Sequence, residues 1–289
     1  MPRTSPTVRR RRLGQELRTL REGKALTVEQ VAKELDWSPS KVSRIETTAI
    51  KVGMVDLRAL LDVYEITDKV HREGMLALGK ESRETGWWQA IQDRSPVDNF
   101  KAYVGFEAEA RQILTYESMM IPGLLQTERY TRALLRALAT RETVIDEAVK
   151  LRLTRQELLT RGEDPASFTA VIDEAALRRP AGGKQRAEVM GEQIEKLLHL
   201  SDRSNIAIRV VPFDNGLHPG LTGTFTVAEL PHPEDPDIVW VESGTVGVLL
   251  SDDDSVRYYN RVFDAVQQEA LGAEASENFL RDLLKAYAR

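Results

Sequence analysis

The sequence predicts an α+β chain in two parts: an all-α N-terminal domain, then a larger domain that mixes helices with strands. Three observations carry this. Apolar residues over the first 80 positions recur at helical spacing. Runs of β-branched and aromatic residues with the length of strands begin only near residue 112. Charge divides along the same line, since residues 1–51 hold 12 Lys+Arg against 6 Asp+Glu and the remainder holds 28 against 39.

At 289 residues the chain has the length of about two domains, and 42% hydrophobic residues suffice to build cores. The boundaries expected are 1–80 for the helical domain, 81–97 for a linker and 98–289 for the mixed domain. The linker "ESRETGWWQAIQDRSPV" breaks the apolar period and carries Ser-Pro turn signals. Trp87 and Trp88 within it read as packing residues at a junction, with a base-stacking platform as the alternative. The chain has no cysteine, which excludes disulfides and thiolate chemistry and suits a reducing cytosol. No apolar run approaches the roughly 20 residues of a membrane span, and "MPRTSPTVRRRRLGQEL" has no apolar signal core. A cytoplasmic protein without a membrane partner is expected. A basic head on an acidic body fits contact with a polyanion at one end. The run Arg9–Arg12 also reads as a solvated basic arm.

In the first domain, Leu13, Leu17 and Leu20 form one stripe of a helix, and Gly23 lets the chain turn. "TVEQVAKEL" opens with Thr27 three residues before Gln30, the spacing of a capping box. Val31 and Leu35 give that helix an inner face, and Asp36, which tolerates a left-handed conformation, ends it. Ser38 suits the cap of the next helix and Pro39 its first position. At about 100° per residue, Val42, Ile45 and Ala49 point inward. Ser40, Ser43, Arg44 and Thr47 point outward, with Lys41 on the flank. "MVDLRALLDVYEI" and "DKVHREGMLAL" supply a fourth and a fifth helix.

Two helices joined by a three- or four-residue turn, the second polar over its N-terminal half, describe a helix-turn-helix. The stretch "LRTLREGKALTVEQVAKELDWSPSKVSRIE" resembles the Cro/repressor-type helix-turn-helix, or xenobiotic-response-element family, over about residues 13–66. The resemblance implies a transcriptional regulator whose Ser40, Lys41 and Arg44 read base edges, and a structural pairing of Arg21 with Glu46. The candidate DNA-contacting set is Thr27, Ser38, Ser40, Lys41, Ser43, Arg44 and Thr47. The chain departs from the family where Val28 replaces a phosphate-gripping glutamine and where Asp36 replaces a turn glycine. Backbone N–H groups at the start of the second helix are an alternative phosphate contact. One such head buries too little surface for tight specific binding, so a homodimer on an inverted repeat of double-stranded DNA is expected.

In the second domain, "NFKAYVGFEAEA", "PGLLQTERYTRALLRAL", "VIDEAVKLRLTRQELL" and "KQRAEVMGEQIEKLLHL" carry helical spacing, as do two closing segments, "SVRYYNRVFDAVQQEAL" and "SENFLRDLLKAYAR". "QILTYE", "SFTAVID", "NIAIRVVPF", "GTFTVAEL", "DIVWVES" and "VGVLL" read as strands. "YESMMIPGLLQTERY", "IDEAALRRPAGG" and "ENFLRDLL" resemble the C-terminal domain of actinobacterial antitoxin-like transcriptional regulators, over about residues 98–285. That resemblance implies a small partner protein encoded nearby; it supplies no ligand or catalytic residue. Because the head is small and charged, this second domain is expected to hold the dimer interface and to receive a partner or small ligand. The loop Ile121–Tyr130, through Leu124 and Gln126, is a candidate partner surface, with a buried turn as the alternative. Glu174 and Arg178 read as an ordinary i, i+4 ion pair, or else as part of a recognition surface.

Catalytic and metal-ligating patterns are missing. His71, His199, His218 and His232 are isolated, and no H-E-x-x-H occurs. "AGGKQ" at 181–185 lacks the spacing of a phosphate loop and reads as a turn. "SDDDS" at 251–255 suits a helix start better than a cation site. The expectation is a DNA-binding regulator without enzymatic activity, cofactor or metal. An antitoxin-like protein that neutralises a small partner and autoregulates its own promoter is the alternative.

Overall fold

The computed structural model describes residues 6–84, 97–138, 141–162, 165–232 and 235–287. The chain forms two compact units, Met1–Gln92 and Asp93–Arg289. Trp87 and Trp88 lie outside the described residues.

Among the described residues the first unit is all-helical: α1 Pro6–Gly23, α2 Val28–Glu34, α3 Pro39–Glu46, α4 Met54–Val63 and α5 Lys69–Glu81. Its core joins Leu13 and Leu17 of α1, Val31 and Ala32 of α2, Val42 and Ile45 of α3, and Leu57, Leu60 and Leu61 of α4. The inward spacing read from the sequence is therefore the packed face, with two corrections. Ala49 is exposed, because α3 stops at Glu46 and Thr48 turns left-handed (φ 61°). The turn after α1 is made at Ala25 (φ 52°), while Gly23 completes the helix. The run Arg9–Arg12 is part of α1 and not a free arm; Arg9 is buried and pairs with Glu81 at 3.3 Å and Glu84 at 3.5 Å. Gly14 permits the close approach of α1 to the end of α3, since a Cβ there would stand 2.5 Å from the Glu46 carbonyl oxygen.

The second unit is α+β. Its elements are α6 Phe100–Glu107, β1 Gln112–Glu117, α7 Glu128–Ala137, α8 Glu142–Gln156, β2 Ser167–Asp173, α9 Glu174–Arg178, α10 Arg186–Ser201 and β3 Ile206–Val211, then β4 Phe225–Glu229, β5 Ile238–Ser243, β6 Val246–Leu250, α11 Asp253–Glu269 and α12 Ala273–Tyr287. The six strands form one sheet in the order β3-β2-β1-β4-β5-β6. β1, β2 and β3 run parallel, and the β1–β4, β4–β5 and β5–β6 pairs are antiparallel. Alternation along the strands assigns the two faces. Leu114, Tyr116, Phe225, Val227 and Val239 pack with Val262, Phe263 and Val266 of α11. On the other face Trp240 stacks on Tyr103 of α6, with ring centroids 4.8 Å apart. Beside them Arg155 of α8 donates two hydrogen bonds to buried Glu107, at 2.6 and 2.7 Å. Burial alone pulls the Arg155 pKa down, but the Glu107 carboxylate outweighs it and raises the guanidinium above its usual range.

Candidate functional site

The outward face of α3 is assembled by local chemistry. The Thr27 hydroxyl accepts from the Gln30 N–H (3.2 Å), and the Gln30 side chain accepts from the Thr27 N–H (2.7 Å), closing a capping box at α2. Asp36 adopts φ 54° in the turn between the helices. The Ser38 hydroxyl caps α3 by accepting from the Lys41 N–H at 3.2 Å, with Pro39 at the first turn. Val42 and Ile45 are then drawn into the core, leaving Ser40, Ser43, Arg44 and Thr47 exposed on one side with Ser38 at its start.

The seven residues of the candidate set are not equivalent. Ser40, Ser43 and Arg44 are exposed, and Arg44 makes no ion pair among the described residues. Thr47 donates its hydroxyl proton to the Ser43 carbonyl at 2.8 Å, which leaves it an acceptor. Thr27 and Ser38 act first as caps. Lys41 is half-buried: its ammonium lies 3.0 Å from Asp56 and 3.6 Å from the centroid of the Trp37 ring. Lys41 therefore ties α3 to α4 in this arrangement and does not extend from the helix face. Trp37 and Asp56 were not singled out in the sequence; the Trp37–Lys41 spacing of four was the only local signal. The start of α2 is already occupied by an acid. The Glu29 carboxylate accepts from its own N–H and from the Thr27 hydroxyl, which hold its pKa below the usual range.

Behind this face, Arg21 and Glu46 meet through two hydrogen bonds, Nε to Oε1 at 2.7 Å and Nη2 to Oε2 at 3.0 Å. Their side chains are 10% and 6% exposed. The hydrogen bonds that Arg21 donates to the Glu46 carboxylate, against the cost of burial, keep the Arg21 pKa raised. The third nitrogen, Nη1, donates to the Leu26 carbonyl at 2.8 Å. One guanidinium thus joins the end of α1, the α1–α2 turn and the end of α3.

In the second unit the loop Ile121–Tyr130 is a buried turn. Leu124 is 4% exposed and Gln126 2% exposed. The Gln126 amide donates to the Ile121 carbonyl (2.7 Å), while its oxygen accepts from Thr131 (3.0 Å) and Arg152 (2.7 Å). Neither side chain is presented to a partner, which corrects the surface reading. Glu174 is buried, accepts from the Phe213 N–H at 2.8 Å and pairs with Arg178 four residues on. Arg178 is half-exposed and lies over the Phe279 ring, so this is an intramolecular pair. Asp252 caps α11, accepting from the Ser255 N–H at 2.9 Å, as the helix-start reading of "SDDDS" requires. No group of three or more His, Asp or Glu able to hold a metal occurs among the described residues. No helix among them is long and apolar enough to cross a membrane.

A residue the sequence did not mark is Glu117, at the end of β1. Its Oε2 is buried without a hydrogen-bond partner. Burial, with the Glu242 carboxylate adding to it, pushes the carboxyl up to about 8, against the opposing Thr224 hydroxyl and Arg152.

Residues 12–73 match a family model described as a helix-turn-helix domain. Residues 100–282, more than half of the chain, match one described as a domain of unknown function (DUF5753). No curated protein and no solved structure matches the chain. On the length of that second match, the chain belongs to the DUF5753 family, its shared domain preceded by a helix-turn-helix.

Proposed function

We propose that this chain is a sequence-specific DNA-binding transcriptional regulator of the Cro/repressor type, acting as a homodimer through helix α3 in the major groove. The observation that supports it most is the polarity of α3. Val42 and Ile45 anchor one side in the core, while Ser40, Ser43 and Arg44, which has no ion pair among the described residues, face out with no bulky neighbour on the helix. Serines are short and Arg44 matches the bidentate acceptors of guanine. The role is binding and not catalysis, and the second unit serves regulation or dimerisation.

Half-sites lie near one helical turn apart, about 34 Å, or at a multiple of that. Arg44→Ala tests the assignment. It should cost about 1–3 kcal/mol on the operator and relax preference at one position of each half-site. Binding to the operator and to point variants over a range of salt concentrations is the measurement. A uniform loss on all sequences, with a shallower salt slope, makes Arg44 a phosphate contact instead. Footprinting with light scattering tests the dimer, and a monomer that protects one half-site at full affinity contradicts it.

A further inference from the structure

We infer that the cleft between α7 and the loop after α9 is a binding site for a small organic anion, an apolar body carrying one acidic head. The cleft encloses ≈ 610 Å³, within the roughly 300–1,000 Å³ range of small-molecule sites. Four guanidiniums line it, Arg129, Arg132 and Arg136 of α7 and Arg179 at the end of α9, against the single carboxylate of Glu188. The α7 arginines recur at spacings of three and four and so share one helix face.

These cations differ in what they already hold. Arg132 pairs with Glu128 (2.9 Å) and Asp146 (2.6 Å), Arg136 with Glu142 (2.6 Å), and Arg129 with Glu192 (3.4 Å) and Glu188 (3.6 Å). All five carboxylates are well exposed, and exposed pairs are worth only about 0–1 kcal/mol, so an arriving anion exchanges with them at little cost. Arg179 has no carboxylate partner among the described residues. Its Nη2 lies 4.0 Å from the sulfur of Met119. The anion-binding group is therefore Arg179, with the α7 arginines as exchangeable support.

The rest of the cleft suits an apolar body. Met119 and Met120 sit side by side on its lining with Ala133, Leu134 and Val189, and thioethers adapt to varied apolar shapes. The wall opposite α7 is fixed by Gly182, at φ 92°. A Cβ there would stand 2.6 Å from Cγ2 of Val189, so only glycine lets the loop lie this close to α10. A polyanion is a poor occupant, because the chain beyond residue 51 carries 28 Lys+Arg against 39 Asp+Glu. One small anion needs only the local cations. This inference is independent of the DNA-binding reading, and its test reads ligand binding directly.

The test titrates the full-length protein with 8-anilinonaphthalene-1-sulfonate, followed by fluorescence. Dodecanoate, dodecyl phosphate, dodecanol and dodecyltrimethylammonium then compete below their micelle concentrations. The expected result is one site per chain. Either dodecanoate or dodecyl phosphate should displace the probe at least about tenfold better than dodecanol, and the better of the two names the head group. The cation should not compete. Arg179→Gln should weaken the anion by about tenfold, the loss of one charged hydrogen bond, and leave dodecanol unchanged. Arg257→Gln, on the exposed face of α11, should alter nothing, and melting curves show that each variant folds. Equal competition by dodecanol, several sites per chain, no probe binding, or full anion affinity in Arg179→Gln each overturns the inference.

Discussion

Replacing Glu46 by alanine removes the acceptor of two hydrogen bonds from Arg21, at 2.7 and 3.0 Å. The guanidinium left behind has a side chain only 10% exposed and keeps its bond to the Leu26 carbonyl. Breaking one side of a buried pair costs about 3–5 kcal/mol, because the surviving charge is uncompensated. A helical unit of this size has a total stability of only about 4–12 kcal/mol, so one substitution removes about a quarter or more of it. At about 4–8 °C per kcal/mol for a domain of this size, its melting midpoint should fall by at least roughly 12 °C. Glu46→Gln keeps one acceptor and should lose less. The double variant Arg21→Met/Glu46→Leu leaves no buried charge, and should recover to within about 1–2 kcal/mol of the parent. Urea unfolding followed by far-ultraviolet circular dichroism reads the stability, and operator titration is run beside it. An unchanged midpoint with weakened DNA binding would place Glu46 at the DNA and refute the structural assignment.

Three further outcomes are expected. Asp56→Asn removes the carboxylate 3.0 Å from Lys41, so DNA affinity should rise on all sequences alike and the salt slope should steepen by about one phosphate contact; a change confined to one base position would make Lys41 a base reader. The Glu117 carboxyl, pushed up to about 8 by burial, stays protonated in the folded chain over a range where an unfolded glutamate, near 4.3, has ionised. The folded state then binds more protons, so stability should fall by a few kcal/mol as pH rises from about 4.5 to about 8, and Glu117→Gln should flatten melting curves over that range; an unaltered slope would remove Glu117 as its source. Gly14→Ala puts a methyl 2.5 Å from the Glu46 carbonyl oxygen and 2.7 Å from Thr48 Cγ2, and should cost about 1–3 kcal/mol in the urea assay; a neutral result would mean that α1 shifts freely over α3.

What the sequence disclosed is what local physics decides. Thr27 with Gln30, Ser38 with Pro39, and Asp36 in a left-handed turn each act within a few residues, so the start of α2, the start of α3 and the turn between them were legible. The strands were legible too, because β-branched runs bounded by turn residues need no partner to be seen, although their mixed order was not. Partnerships across the chain were mostly hidden. Lys41 looks free on a helical wheel and is taken by Asp56, fifteen residues on. Pro122 and Gly123 mimic a surface turn, yet Arg152, 26 residues beyond Gln126, helps to seal that loop inside. The basic head shows the same limit. Its 12 Lys+Arg include Arg9 and Arg21, both buried in ion pairs, and Lys24, engaged by Glu65 at 2.6 Å. A charge count measures what a segment carries, whereas a phosphate meets only what the fold leaves unpaired. On the outward face of α3 that is Arg44, so this one side chain, and not the basic run before it, should dominate discrimination between sequences.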